Sequence, residues 1–257
     1  MNFGKLIFLL RKLKTLIIII LSFPLYIIYI PIIITIYTIS SLVIFRFGPL
    51  QSSRIGPFIT CTEIYISKKI ILEKKNKKKF IDIFYFSQIS NSHLKKMCKE
   101  KLNILPRFLI MPLYNLNNFF GLILNFPKKH SIPEETDRDV NDVLFKFKNH
   151  LTFTRSDESL GIKFLKKMGL KDSQKFVCIL ARDNEYLDKH SSFKDWSYHE
   201  TRNDNINNFS KAINLLNEKG YYVFRMGKFV KQKLNIKNPM FLDYACSDYR
   251  SDFLDIF

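Results

Sequence analysis

Two arginines stand where short apolar runs end. Arg182-Asp183 follows Phe176-Val-Cys-Ile-Leu-Ala181, and Arg225-Met226-Gly227 closes Tyr221-Tyr-Val-Phe224. A planar guanidinium can hold phosphate oxygens in a bidentate fork, so arginines at such positions suit a phosphate-bearing ligand. Asp183 follows a strand end directly, which makes it the candidate catalytic carboxylate through a polar role in the site, general-base action being a separate and lesser claim. Between the two tips runs a long polar loop carrying Tyr186, His190, Trp196, Tyr198, His199, Arg202 and Asn203. Aromatic faces with polar tips are what a sugar ring and a nucleobase require of a site. Anchoring of the loop by Trp196 and surface positions for the histidines are the plainer alternatives.

A second set of candidates lies near the start. The loop Arg46 to Gly56 holds Arg46, Gly48, Ser52, Ser53 and Arg54, a composition that fits either a strand-to-helix turn facing an anion or an ordinary turn with solvated arginines. Asp137-Arg138-Asp139 has the spacing of a metal-holding aspartate pair. Ser131, Pro133, Glu134 and Glu135 beside it announce a helix start, so the carboxylates are assigned to capping and no metal site is expected. Cys61, Cys98, Cys178 and Cys246 are widely spaced and show no paired ligand pattern.

The elements that must position these groups alternate. Lys175–Ala181 and Tyr221–Arg225 are β-rich. Between them Asp204 to Lys219 has helical periodicity, with Asp204 as N-cap, Ile206, Phe209, Ile213 and Leu216 on one face, and Gly220 as stop. Strand, helix, strand implies a parallel sheet, whose ligands bind beyond the carboxyl ends of the strands. Arg182 and Arg225 are therefore expected there. Met240–Tyr244 is a further strand. Residues 253, 254 and 257 give an apolar face to a helix opening at Ser247 or Ser251, a face expected to be exposed.

The first half repeats the alternation: a strand at 42–46 broken by Gly48-Pro49, a helix from Ile55 to Ile66, a strand Phe80–Phe86, a helix capped by Ser90 or Asn91 through Lys101, and another from Arg107 to Phe120. Seven lysines fall within 68–79 without interleaved aromatics, which fits a solvated or headgroup-facing loop and not a nucleic-acid surface. Asp157 to Leu170 is an amphipathic helix near the boundary between halves. The net charge of +18 favours anionic partners, although lysine enrichment by an AT-biased genome accounts for part of it.

Residues 15–45 contain no charged side chain, and 15–38 is rich in isoleucine. This predicts a membrane helix over about 6–40, too long for the h-region of a signal peptide. Basic residues flank it on both sides and no acidic residue occurs before Glu63, so the positive-inside rule draws both flanks to the cytoplasm. With Pro24 and Pro31 inside, a bent re-entrant or interfacial helix is preferred to a tilted single span.

Arg182-Asp183, Tyr186-Leu187, Ser197-Tyr198-His199, Arg202-Asn203, the run Gly220 to Gly227, Asp243-Tyr-Ala245 and Arg250 to Asp255 resemble a family of bacterial surface-polysaccharide glycosyltransferases. Phe45-Arg-Phe-Gly48, Ser53-Arg-Ile-Gly56 and Glu63-Ile-Tyr65 resemble the opening motif of the same family, whereas 66–170 match it weakly. The resemblance implies an α/β protein of two Rossmann-like halves (GT-B-like), with a membrane-associated segment at 1–41, a first half at 42–150 and a second at 151–257 that would be incomplete at its carboxyl end. It implies a metal-independent enzyme, without a cofactor, on the cytoplasmic face of the inner membrane. Such an enzyme would move a sugar from a nucleotide-sugar donor to a lipid-linked or glycan acceptor. Arg182, Tyr186, Tyr198, Arg202, Asn203, Arg225, Gly227, Asp252, Arg46, Gly48 and Arg54 would contact substrate, with Asp183 catalytic. The alternative is a non-catalytic membrane-bound module that binds anionic lipid or polysaccharide; a nucleic-acid binder explains less of the chain.

Overall fold

The computed structural model describes residues 26–75, 78–123, 128–191 and 197–257. The chain divides into two compact units, Met1–Thr152 and Phe153–Phe257. Both units are α/β with small parallel sheets.

Unit 1 opens with helix α1 (residues 26–38), followed by strand β1 (Val43–Leu50), helix α2 (Ile55–Lys75) and strand β2 (Lys79–Phe86). β1 and β2 pair in parallel from Val43↔Lys79 to Leu50↔Phe86. Alternation along the two strands then decides what each face meets. Phe45, Phe47, Ile83 and Tyr85 pack with Tyr29 and Ile36 of α1 and with Ile110 and Leu113 of α4 (Arg107–Ile123). Arg46, Asp82 and Phe84 meet α2 on the other face through Tyr65. Helix α3 (Ser92–Lys101) starts where Asn91 accepts a hydrogen bond from Leu94 N at 2.9 Å, as expected of that cap. The short α5 (Val143–Lys146) follows Asp139, whose carboxylate accepts from Val143 N and Leu144 N at 3.0 and 2.7 Å. The aspartate thus caps, but it caps a helix that begins later and is shorter than expected. Buried Glu63 of α2 accepts from His150 N and Leu151 N, which ties the end of the unit to that helix.

Two expectations are corrected here, and a third falls largely outside the described residues. β1 runs through Gly48-Pro49 instead of stopping, because Ile132 N donates to Phe47 O at 3.0 Å and extends the pairing on that side. α2 continues past Ile66 to Lys75, so Lys68, Lys69, Lys74 and Lys75 are helical and place positive charge at a helix carboxyl end. The membrane helix expected over 6–40 is not found among the described residues, where no helix is long and apolar enough to cross a bilayer. Its described portion, α1, lays one face on the sheet, with Ile33 and Ile36 buried; residues 6–25 lie outside the described residues.

Unit 2 begins with α6 (Arg155–Lys167), held by a capping box in which Thr154 and Asp157 each accept from the other's backbone N–H. Strand β3 (Phe176–Ile179) is followed by α7 (Glu185–Ser191), two 3-10 turns, α8 (Ser210–Glu218), strand β4 (Tyr222–Arg225) and strand β5 (Phe241–Leu242). The sheet order is β3-β4-β5, all parallel. Tyr222 and Phe224 pack to one side with Met168, Tyr244 and Leu254, while Val223 packs to the other with Ala181, Ile206, Ile213 and Leu234. The apolar face expected of Ile206, Phe209, Ile213 and Leu216 is present, but its first turn is 3-10 and its cap is Asn205, whose side chain accepts from Asn207 N. The closing residues are not an exposed patch. Leu254 is buried, Phe253 and Phe257 are half-buried, and the Phe257 ring occupies the space a Cβ on Gly161 would need.

The centre of unit 1 is a buried charge pair between adjacent strands. Arg46 donates through Nε and Nη2 to the two Asp82 oxygens at 2.5 and 2.7 Å, Tyr65 Oη also donates to Asp82, and Lys69 Nζ lies 3.2 Å from it. Burial by itself would raise the Asp82 carboxyl, but hydrogen bonds from Arg46 and Tyr65 with the charges of Arg46 and Lys69 hold it below the ordinary value. A lowered folded-state pKa stabilises above the unfolded value and loses that contribution as pH falls through the folded one. Asp82→Asn should cost about 3–5 kcal/mol by leaving Arg46 buried and unpaired. Denaturant melts across pH should show that the variant also lacks the loss of stability the native chain undergoes below about pH 4.

Candidate functional site

Parallel pairing puts the carboxyl ends of β3, β4 and β5 on one edge, and a cavity of about 430 Å³ opens there. Arg225, at the tip of β4, lines it from the sheet side. Asp183, Asn184 and Glu185 enter from the segment after β3, Asn203 and Asn205 from the turn before α8, and Lys231 and Gln232 from the segment after β4. Amides and carboxylates dominate this wall, with Asp188 and Asp204 adding two more acids to the two cations Arg225 and Lys231.

Arg225 is almost fully buried. Its Nη1 donates to Asp243 Oδ1 at 3.1 Å, and Asp243, at the tip of β5, also accepts from Leu234 N at 2.7 Å. Arg225 Nε is buried with no hydrogen-bond partner among the described residues. Asn203 is similar: its Nδ2 donates to Asn184 Oδ1 at 2.9 Å, whereas its buried Oδ1 has no partner there. An unpaired buried donor or acceptor costs about 1–3 kcal/mol, and such groups in a folded protein call for an explanation.

Asp183 accepts one backbone hydrogen bond on each carboxylate oxygen. Oδ1 accepts from Glu185 N at 3.1 Å and Oδ2 from Lys231 N at 2.9 Å, so one carboxylate ties the start of α7 to the segment after β4. These bonds stabilise the two segments that form the cavity walls; they leave fewer lone pairs for a substrate proton.

Of the residues expected to bind substrate, Asn203 and Arg225 line this cavity with Asp183. Arg182 and Arg202 are sequence neighbours of lining residues without being among them, and Arg202 is exposed. Tyr186 packs against Phe229 with ring centroids 6.1 Å apart. The side chain of Tyr198 lies outside the described residues. Gly227 has φ +155°, and a Cβ there would come within 2.5 Å of Val230 Cγ1, so its role is to turn the chain after β4. Asp252 accepts from Lys228 Nζ and Arg250 Nη2, both at 3.1 Å, and braces a loop.

The first-unit candidates belong to that unit's own scaffold. Arg46 is consumed by Asp82. Gly48 admits the chain at Ile132, whose Cβ would lie 3.0 Å from an added Cβ, and Arg54 is exposed just before α2. Among the described residues, no group of three or more His, Cys, Asp or Glu is placed to hold a metal ion.

Sequence reasoning missed Asn184, Glu185, Asn205, Lys231, Gln232 and Asp243. The carboxyl-edge rule could have found several, since Asp243 follows β5 as Arg182-Asp183 follow β3, and residues 231–232 lie on the loop leaving β4. Compared with known protein families, curated proteins and solved structures, the chain matches none.

Asp183→Ala should loosen both tethered segments. Hydrogen–deuterium exchange is expected to quicken at 185–191 and 229–233, with a stability loss of about 1–3 kcal/mol in denaturant melts. Unaltered exchange at both segments would count against the bracing role.

Proposed function

We propose that this chain is a nucleotide-sugar-dependent glycosyltransferase of the surface-glycan type, with its donor in the carboxyl-edge cavity of unit 2 and a lipid-linked or polysaccharide acceptor. The finer reading, that the two units are paired Rossmann-like halves of the GT-B kind, belongs to the same proposal. The observation that carries it is the wall of the cavity at the tips of a parallel sheet, where amides and carboxylates surround Arg225. Hydroxyl groups of a sugar can donate to carboxylates and exchange bonds with amides, and Arg225 with Lys231 offers positive charge to the diphosphate that leaves. Arg225 shares its charge with Asp243, so the exposed Lys231 is the cation with more freedom to follow the leaving group.

One observation favours a second reading. Each Asp183 oxygen already accepts a backbone hydrogen bond, which gives the carboxylate a bracing task and lowers its basicity, and this suits a cavity that binds a glycan without transferring it. The two readings separate in a donor-hydrolysis screen of the full chain across nucleotide sugars, paired with isothermal titration of polysaccharide. Transfer predicts hydrolysis of one donor class, falling about 100-fold in Lys231→Ala if that lysine meets transition-state charge worth about 3 kcal/mol. Absence of hydrolysis with every donor, together with glycan binding that Gln232→Ala weakens, selects the binding module.

A further inference from the structure

Exposed apolar side chains gather on the outer surface of the α1/α4 layer. α1 and α4 cover the same face of the β1–β2 sheet, and they are joined where Tyr37 Oη donates to Asn117 Oδ1 at 2.8 Å and Asn115 Nδ2 donates to Tyr26 Oη at 3.4 Å. Their inward faces are spent on the core, with Ile33, Ile36, Ile110 and Leu113 buried. Their outward faces are also apolar: Ile28 is 62 % exposed, Ile34 53 %, Phe108 68 % and Phe119 56 %. Phe108 and Phe119 are three turns apart, so they line one stripe along α4. An exposed apolar surface of this kind marks an interaction site.

Charge indicates what covers it. The chain has 23 acidic residues, yet none lies in 1–62 or 101–133, the stretches that supply α1, β1 and α4. The charged residues of 101–133 are Lys101, Arg107, Lys128 and Lys129, all basic. Arg107 opens α4, and Lys129 Nζ donates to Ser40 O and Oγ just beyond α1. An apolar face beside cations, with acids excluded, complements a bilayer surface with anionic headgroups. A second copy of this chain fits worse, because a self-paired contact would bring like charges together. The sequence on the amino side of α1, residues 15–25, also carries no charged side chain.

We propose that the outward faces of α1 and α4 together form a membrane-surface docking site, in which α4 enters the headgroup boundary of an anionic bilayer alongside α1. The proposal concerns unit 1 alone and does not depend on what the cavity of unit 2 binds. It is tested without any activity measurement. Single cysteines are placed by Phe108→Cys, Phe119→Cys or Phe145→Cys in the full chain, with exposed Cys178 and Cys246 changed to Ala, and each is labelled with an environment-sensitive nitrobenzoxadiazole. Phe145 lies on α5, which packs against α2 on the opposite side of the sheet, and serves as the control.

With phosphatidylcholine vesicles containing phosphatidylglycerol, labels at 108 and 119 should shift to the blue and be quenched by spin-labelled acyl chains, whereas the label at 145 should not. Raising salt from about 0.1 to 1 M, which shortens the Debye length from about 10 to 3 Å, should weaken the response. Phe108→Asp with Phe119→Asp should lower partition onto these vesicles about tenfold or more while leaving the melting temperature unchanged, since both rings are exposed. Flotation of the chain on vesicles with silent labels at 108 and 119 would overturn the proposal. So would equal partition of the double variant, or a blue shift that needs no vesicles and grows with protein concentration, which would assign the face to a second copy.

Discussion

Parallel strand pairing constrains both units. Parallel neighbours cannot be joined by a tight turn, so the chain must leave each strand, cross a face and return, and every strand then ends at the same edge. In unit 2 this brings the residues after Ile179, Arg225 and Leu242 together although they are far apart in sequence. The cavity and its polar wall follow from that geometry, and the segments leaving the strands supply the side chains.

The same pairing explains what the arginines do. In unit 1 Arg46 on β1 faces Asp82 on β2 at the same register, and in unit 2 Arg225 at the end of β4 faces Asp243 just beyond β5. Each pair is buried and joins adjacent strands. Removing two charges from water is costly, so such pairs persist where hydrogen bonds satisfy them fully. Arg46 meets that condition, with two bonds to one carboxylate and Tyr65 and Lys69 completing the set. Arg225 does not, since its Nε is left over. The difference separates a fully bonded pair from one that leaves a donor unpaired among the described residues, although both look alike as an arginine in an apolar run.

Much of the fold was legible from periodicity. Asn91 as a cap, the apolar face of Ile206, Ile213 and Leu216 along the 3-10 turn and α8, Gly220 at φ +85° after α8, and the strand pattern of each unit all rest on interactions within a few residues. What sequence could not show depends on partners distant along the chain. The strand through Gly48-Pro49 needs Ile132, the burial of Phe257 needs the bare Cα of Gly161, and the occupation of Asp183 needs the backbone of Lys231. For the site, the edge of the sheet was readable and Asp183, Asn203 and Arg225 were found, whereas assigning them roles required knowing which of their atoms were already bonded.

The apolar run before β1 shows how one composition can answer to two environments. A helix that is hydrophobic on all sides reads by hydropathy as a span, because the measure averages over its faces. α1 is apolar toward the sheet because Ile36 packs in the core with Phe47 and Ile33 is buried, and it is apolar on the other side for a reason the core does not supply. α4 carries the same signature in a weaker form, with Asn115 and Asn117 interrupting the pattern where they meet tyrosines of α1. Two helices of one layer are each apolar outward and drawn from stretches without acidic residues, and that shared pattern on α1 and α4 is a stronger constraint than the length of either helix.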